Sequence, residues 1–390
     1  MKKVFNVVDV FIIVIITSLV MSMLGAVLVY KNVDDINLSF VRTDENLKKF
    51  IAAYANLKDN YYEDISDKDL IDGALNGMYE KVNDPYTSYL DEQSSERLDN
   101  ILSGNYNGIG IEVEKIDDGI KIMKVLDNTP AKEAGLLEGD IITQVDLEEI
   151  KDKSTSEISK LISSKEEVNL TVKRNFDLLS FDVKTKVLYR EVSTSNIFEN
   201  NNKRIGYISL NTFNEDSYNQ FKNNLEKLEK KNIDSLIIDV RNNGGGYLSQ
   251  AEEITELFLN KGKTIYYLKT KNDLIKVKDR TKEKRKYKVA VLINSKSASA
   301  SEVLAGALKY SYGASLIGET SFGKGRVQEK ISFESTSVKY TSALWLMPNK
   351  KNIDEVGIKP DIEVELDNNR YEISNIDIDL QVYTAIKHIS

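Results

Sequence analysis

The chain has 390 residues, 41% of them hydrophobic, enough for two or three domains with real cores, and its net charge of −8 argues against a nucleic-acid partner. It has no cysteine, which excludes disulfides, thiol catalysis and cysteine-ligated zinc. Its one histidine, His388, stands beside the C-terminus, a poor place for a packed triad or a metal site, so chemistry falls to Ser, Lys, Asp, Glu, Tyr or amides.

Residues 10–30 carry no charge over 21 positions, against the roughly 20 a helix needs to cross hydrocarbon. Lys2 and Lys3 precede the stretch and Asp34 and Asp35 follow it, which orients the N-terminus inside and the rest outside. A membrane anchor within residues 1–35 is the expectation. A cleaved signal peptide is the alternative, set back by the long apolar core and the lack of a small-x-small cleavage site.

Residues 36–103 form the next region. Over 43–100, Leu47, Phe50, Ile51 and Tyr54, then Leu70, Ile71, Ala74, Leu75 and Met78, recur at helical spacing, and Asn83, Asp84 and Pro85 mark a turn. A β-rich unit is expected over 104–190. It opens with Gly108, Ile109, Gly110 and Ile111, where glycines let backbone N–H groups converge into a nest for an anion. In residues 129–145 Pro130 starts a short helix, Gly135 ends it, and Gly139-Asp140 turns into a strand. This order resembles a PDZ domain. The resemblance implies that the glycine loop takes a substrate's terminal carboxylate, that the tail adds as a strand beside Ile111, and that a helix carrying Ile158 and Leu161 walls the groove. Both could equally be core.

From 191 to 370, strands at 205–210, 235–240 and 289–293 alternate with amphipathic helices, which predicts an α/β core. The strand at 289–293 runs into SASASE, residues 297–302, and then into helical spacing. Small hydroxyls at a helix N-terminus meet unpaired N–H groups and a positive dipole end, which suit an alkoxide and an oxyanion. The plain alternative is a serine N-cap with a capping box. In residues 319–328 a lysine stands between two glycines. A lysine base must be neutral, and burial with few carboxylates nearby would lower its pKa; Gln328 could accept a hydrogen bond from the amine without adding charge. Phe322 and the glycines suit close packing around it. Residues 318–324 also match the start of a phosphate loop, but Gly325 replaces the required Ser/Thr and a strand pattern follows, so nucleotide binding is not expected. In residues 237–249 a buried strand ends in Asp239 and Arg241, and three glycines then lead into a helix, as in an oxyanion turn or a plain helix entry.

DVRNNGGG (239–246), SASASE (297–302), FGKGRVQ (322–328) and GIKPDIEV (357–364), in this order behind a PDZ-like unit, resemble the carboxyl-terminal processing peptidases, or tail-specific proteases. The resemblance covers about residues 43–389. It implies an α/β multidomain fold with a core of the ClpP/crotonase type, a C-terminal helix within 371–390, and no metal or organic cofactor. It makes Ser299 the nucleophile, Lys324 the general base and Gln328 its orienting partner. It puts the oxyanion hole at the backbone N–H groups of Ala300 and Gly245, with Gly246 the alternate, and gives Ser297 and Ser301 structural roles. Lys350 stands where the family usually has a glycine. The expected activity is a membrane-anchored serine endopeptidase that grips protein C-termini outside the cytoplasm, with a homodimer formed through the 43–100 helices and the 379–389 helix. A silent PDZ scaffold and a Ser/Lys cell-wall amidase are the rival functions.

Overall fold

The computed structural model of the chain describes residues 44–282, 285–367 and 369–390, so the apolar stretch at 10–30 lies outside the described residues. Among the described residues no helix is long and apolar enough to cross a membrane.

The chain divides into two units, Met1–Met78 and Tyr79–Ser390. In the first, the helix Glu45–Asn60 begins at Asp44, whose carboxylate caps the N–H groups of Asn46 and Leu47. Tyr54 and Lys58 donate to Asp67, which opens the next helix, Asp67–Glu80. Neither helix buries a residue. Of the apolar positions read from the spacing, Phe50, Ile51 and Met78 remain about half exposed, while Leu47, Tyr54, Leu70, Ala74 and Leu75 are part-buried.

In the second unit a six-stranded sheet has the order Ser193–Asn200, Lys203–Leu210, Ser235–Asp239, Lys288–Ile293, Ser315–Gly318, Ile362–Glu363. Its first pair is antiparallel and the other neighbours are parallel. Parallel strands need cover on both faces, and alternate side chains serve the two sides. Ile238, Val291, Ile293 and Leu316 meet Phe221, Leu225, Ile254, Val303 and Leu304 of the helices Ser217–Glu229, Leu248–Glu256 and Ala300–Ala307. Ile237, Ala290, Leu292 and Ile317 meet Val382, Ala385 and Ile386 of the helix Leu380–Ile389. That contact corrects the expectation that the C-terminal helix offers its apolar face to a second subunit, because the face is consumed by the chain's own sheet. A short hairpin, Tyr371–Ile373 with Ile376–Ile378, precedes it.

A second sheet is organised by the long strand Thr336–Leu346, which pairs with Arg326–Phe333, Thr264–Lys269 and Ser88–Leu90. The strand Ser88–Leu90 interrupts a region expected to be helical, and it carries the residues after the Asp84-Pro85 turn onto the sheet beside the candidate lysine. Arg326–Phe333 is a strand, so residues 318–324 do not open the helix that a phosphate loop requires.

The PDZ-like segment forms its own six-stranded sheet from Ile111–Ile116 to Asp177–Lys184, around a core of Ile120, Ile122, Leu136, Ile142, Leu170 and Val172. Its two ends are joined by Asn105–Gly108 pairing with Lys186–Tyr189.

Candidate active site

The strand Lys288–Ile293 delivers the chain to the serine-rich turn, and side-chain hydrogen bonds stitch that turn to the glycine loop after Asp239. Ser297 donates to the Val240 carbonyl (2.8 Å) and Ser301 to that of Asn243 (2.8 Å), both fully buried, as the structural roles implied. Ser299 is left between them with φ 57° and ψ −115°, a conformation that L-residues avoid. It directly precedes the buried helix Ala300–Ala307, so its hydroxyl stands at the positive end of that helix.

The glycine loop lies against this turn. A Cβ on Gly245, whose φ is +100°, would stand 2.8 Å from the Ala298 carbonyl oxygen and 2.9 Å from Ser299 Cβ, so only glycine permits the approach. The Gly245 N–H, however, donates to Asn243 Oδ1 (2.9 Å). The buried Asn243 side-chain oxygen needs a donor and takes the amide of the glycine expected in the oxyanion hole. No hydrogen bond is recorded among the described residues for the N–H of Gly246 or of Ala300. Asn243 also donates to the Leu210 carbonyl, which locks the loop to the central sheet. At the loop's start, Arg241 pairs with Asp239 (2.6 Å) and Asp379 (3.0 Å), so these two residues fasten the loop to the C-terminal helix.

Lys324 reaches the same cleft, of about 630 Å³, whose walls include Ser299, Gly245, Gly246, Lys324, Gln328, Lys339 and Trp345. Its flanking glycines are explained by backbone contact: a Cβ on Gly323 would lie 2.7 Å from Gly357 N, and one on Gly325 2.8 Å from Asp354 Cβ. Trp345 Nε1 donates to the Lys324 carbonyl (2.9 Å). Phe322, expected to pack around the amine, is instead 55% exposed. Burial holds the Lys324 amine below its usual pKa, helped by the charge of Lys339, while Glu302 and Asp84 pull the other way. Carboxylates are therefore nearer than expected, and desolvation outweighs them.

Glu302 escaped the sequence reading. It is completely buried and accepts four hydrogen bonds, from Ser321 Oγ and Gly323 N at one oxygen and from Ser299 N and Lys324 N at the other. Burial raises its pKa, and those donors draw it back. The signal was the S-x-x-E spacing, which marks a capping box, but nothing local shows that the same carboxylate also holds the lysine's backbone.

Gln328 lines the cleft but donates weakly to Thr341 Oγ1 (3.5 Å), and among the described residues no hydrogen bond joins Lys324 Nζ to Ser299 or Gln328. Catalytic hydrogen bonds are often long without substrate. A serine–histidine contact exists elsewhere, His388 Nε2 to Ser315 Oγ (2.9 Å), in a separate cavity of about 550 Å³ that shares no lining residue with the first. Among the described residues no carboxylate orients that ring, so it is not a triad. Nor do those residues hold a cluster of His, Asp or Glu fit for a metal ion.

In the PDZ-like segment, Gly108, Ile109, Gly110 and Ile111 line a groove of about 130 Å³ with Ile158 and Ile162 on its far wall. Ile162 takes the place expected of Leu161, which packs on the segment's core instead. Ile158 serves both roles, since it is also fully buried. Gly110, at φ +86°, abuts Thr129, which a side chain there would overlap at 2.4 Å. Lys350 takes up φ +65°, the left-handed conformation for which glycine is the usual residue.

A largely parallel sheet thus brings a serine in strained backbone and a part-buried lysine to one cleft, in a chain that also carries a PDZ-like groove. Comparison with known proteins is specific. Peptidase family S41 matches residues 204–364, the PDZ domain matches 107–185, and the activating protease CtpB N-terminal domain matches 25–94. A probable CtpA-like serine protease of Staphylococcus aureus (strain bovine RF122 / ET3-1) is 32% identical over 93% of this chain and 72% of its own. The carboxy-terminal processing protease CtpA of Bacillus subtilis (strain 168) is 35% identical over 83% of this chain and 70% of its own. Among solved structures, a photosystem II D1 C-terminal processing protease is 22% identical with a TM-score of 0.49, over 84% of this chain and 88% of that one. The chain belongs to the carboxy-terminal processing proteases of peptidase family S41, serine-type endopeptidases that carry a PDZ domain.

Proposed function

We propose that the chain cleaves proteins selected by their C-terminal tails, with Ser299 as nucleophile and Lys324 as general base. The observation that carries this is the shared cleft: a serine in a strained turn at a helix N-terminus lines it together with a lysine whose pKa is lowered by burial, and one carboxylate grips both backbones. The tail's carboxylate docks at Gly108, Ile109, Gly110 and Ile111, and its backbone adds beside Ile111. Lys324 takes the Ser299 proton as Oγ bonds to the scissile carbonyl carbon. The resulting oxyanion is met by the Ala300 N–H and by a glycine amide of 244–246, of which, among the described residues, only that of Gly245 is already engaged, by Asn243 Oδ1. Losing one such donor typically costs about 2.7–4 kcal/mol in barrier. The protonated lysine gives its proton to the leaving amine, and water then releases the acyl-enzyme. Gln328 orients the amine once Lys324 turns toward Ser299. No cofactor enters these steps. The charge-free stretch at 10–30 anchors the enzyme in the membrane with its catalytic part outside the cytoplasm.

The test is Ser299→Ala and Lys324→Ala assayed on a protein with an unstructured apolar tail, with fragments identified by mass spectrometry. Both variants are expected to be inactive; wild-type cleavage by either overturns the assignment.

A further inference from the structure

The segment NDPYTSYL, residues 83–90, precedes the PDZ domain in sequence yet is strapped onto the catalytic sheet from two sides. Asp84 receives Tyr86 N (3.1 Å), Thr87 Oγ1 (2.7 Å) and the Arg326 guanidinium (2.9 Å). Burial opposes its ionisation, but these bonds and one from Thr341 outweigh burial and hold its pKa at about 2, so the anchor stays charged. On the other side Ser88, Tyr89 and Leu90 pair with Lys339, Val338 and Ser337, and Thr87 Oγ1 accepts the Thr341 N–H (3.0 Å). Tyr86 is fixed between these anchors. Its ring faces two cations: Lys324 Nζ lies 4.9 Å from the ring centroid and Arg326 Cζ 5.7 Å. Burial, with Asp354 adding to it, keeps the phenol above its usual pKa, so the ring is neutral and acts through its π-face.

A ring face favours the ammonium form of a lysine, whereas a general base must shed that proton. The other charged groups around the amine are Lys339 from the neighbouring strand, Glu302 from the nucleophile's helix, Asp84 on the strap and Arg326 two residues along. The Tyr86 ring face lies against the amine itself.

We propose that Tyr86 is a positioning residue of the peptidase reaction: it holds the Lys324 ammonium on its ring face in the resting enzyme, and the amine must leave that face before it can take the Ser299 proton. This rests on Lys324 being the base.

The experiment is the pH dependence of kcat/KM for the full chain on a fluorogenic tail peptide, whose acid limb reports the base in the free enzyme. Leucine keeps apolar cover over the amine but has no π-face. Tyr86→Leu is expected to move the acid limb to lower pH by roughly 0.4–1.5 units, while Tyr86→Phe leaves it in place. An identical limb for the two variants overturns the proposal. Should the leucine variant fold poorly, phenylalanine and pentafluorophenylalanine at position 86 give the same comparison in nearly one shape with the ring charge reversed; the fluorinated ring must lower the limb, and an unmoved limb again overturns the proposal. Lys324→Ala separates the two ideas. Cleavage persisting in it removes the base assignment, whereas an inactive Lys324→Ala with an unmoved limb in the ring variants removes only the role of Tyr86.

Discussion

One oxygen of Glu302 accepts the backbone N–H groups of both Ser299 (2.8 Å) and Lys324 (2.9 Å), residues 25 positions apart in the chain. The turn of the proposed nucleophile and the loop of the proposed base therefore share a single buried anchor, and their separation depends on a side chain bonded to their backbones.

Glu302→Gln keeps the shape but replaces one acceptor oxygen with an NH₂ group that must face two donors. A buried donor left unpaired costs about 1–3 kcal/mol, so the melting temperature should fall. Misplacement of the lysine by an ångström or less should lower kcat by about 10- to 100-fold. Thermal melts and steady-state kinetics measure the two effects; full activity in a folded Glu302→Gln enzyme would show that the anchor is dispensable.

Lys339 lowers the Lys324 pKa by like-charge repulsion. Because activity requires the neutral amine, removing that charge raises the pKa and moves the acid limb of kcat/KM to higher pH. For Lys339→Met we expect a shift of roughly 0.3–1 unit, smaller at high salt. This is opposite in sign to the effect of Tyr86→Leu. A limb that falls on loss of Lys339 would contradict the electrostatic account.

Gly245→Ala places a methyl group against Ser299 Cβ and the Ala298 carbonyl. The φ of +100° adds about 1–2 kcal/mol of backbone strain for an L-residue. The glycine loop must withdraw from the serine, so kcat should fall by about 100-fold or more while tail binding at the distant PDZ groove is retained. Wild-type turnover would mean that the loop does not contribute to the transition state.

The PDZ groove can be tested without catalysis. In Ser299→Ala, a tail peptide with a free C-terminal carboxylate should bind at least about tenfold more tightly than its amide, as measured by calorimetry. Equal affinities would leave the Gly108–Gly110 loop without its anion.

The candidate catalytic motifs were legible in the sequence because each is a local device. A serine at a strand-to-helix turn, a lysine between glycines and a glycine run after a buried strand keep their meaning within a few residues, since backbone conformation and helix polarity are local properties. The alternation of strands and helices announced the sheet for the same reason. Contacts between distant segments were not legible: Asn243 donating to the Leu210 carbonyl, Tyr86 covering Lys324, and the C-terminal helix packing on the chain's own sheet. The sequence by itself determined which groups could do chemistry, because only certain side chains can be nucleophile, base or anion nest. Tertiary structure alone decided which of those groups meet and in what protonation state, because burial and charge at a site are supplied by segments hundreds of residues apart, as the reach from Asp84 to Arg326 illustrates.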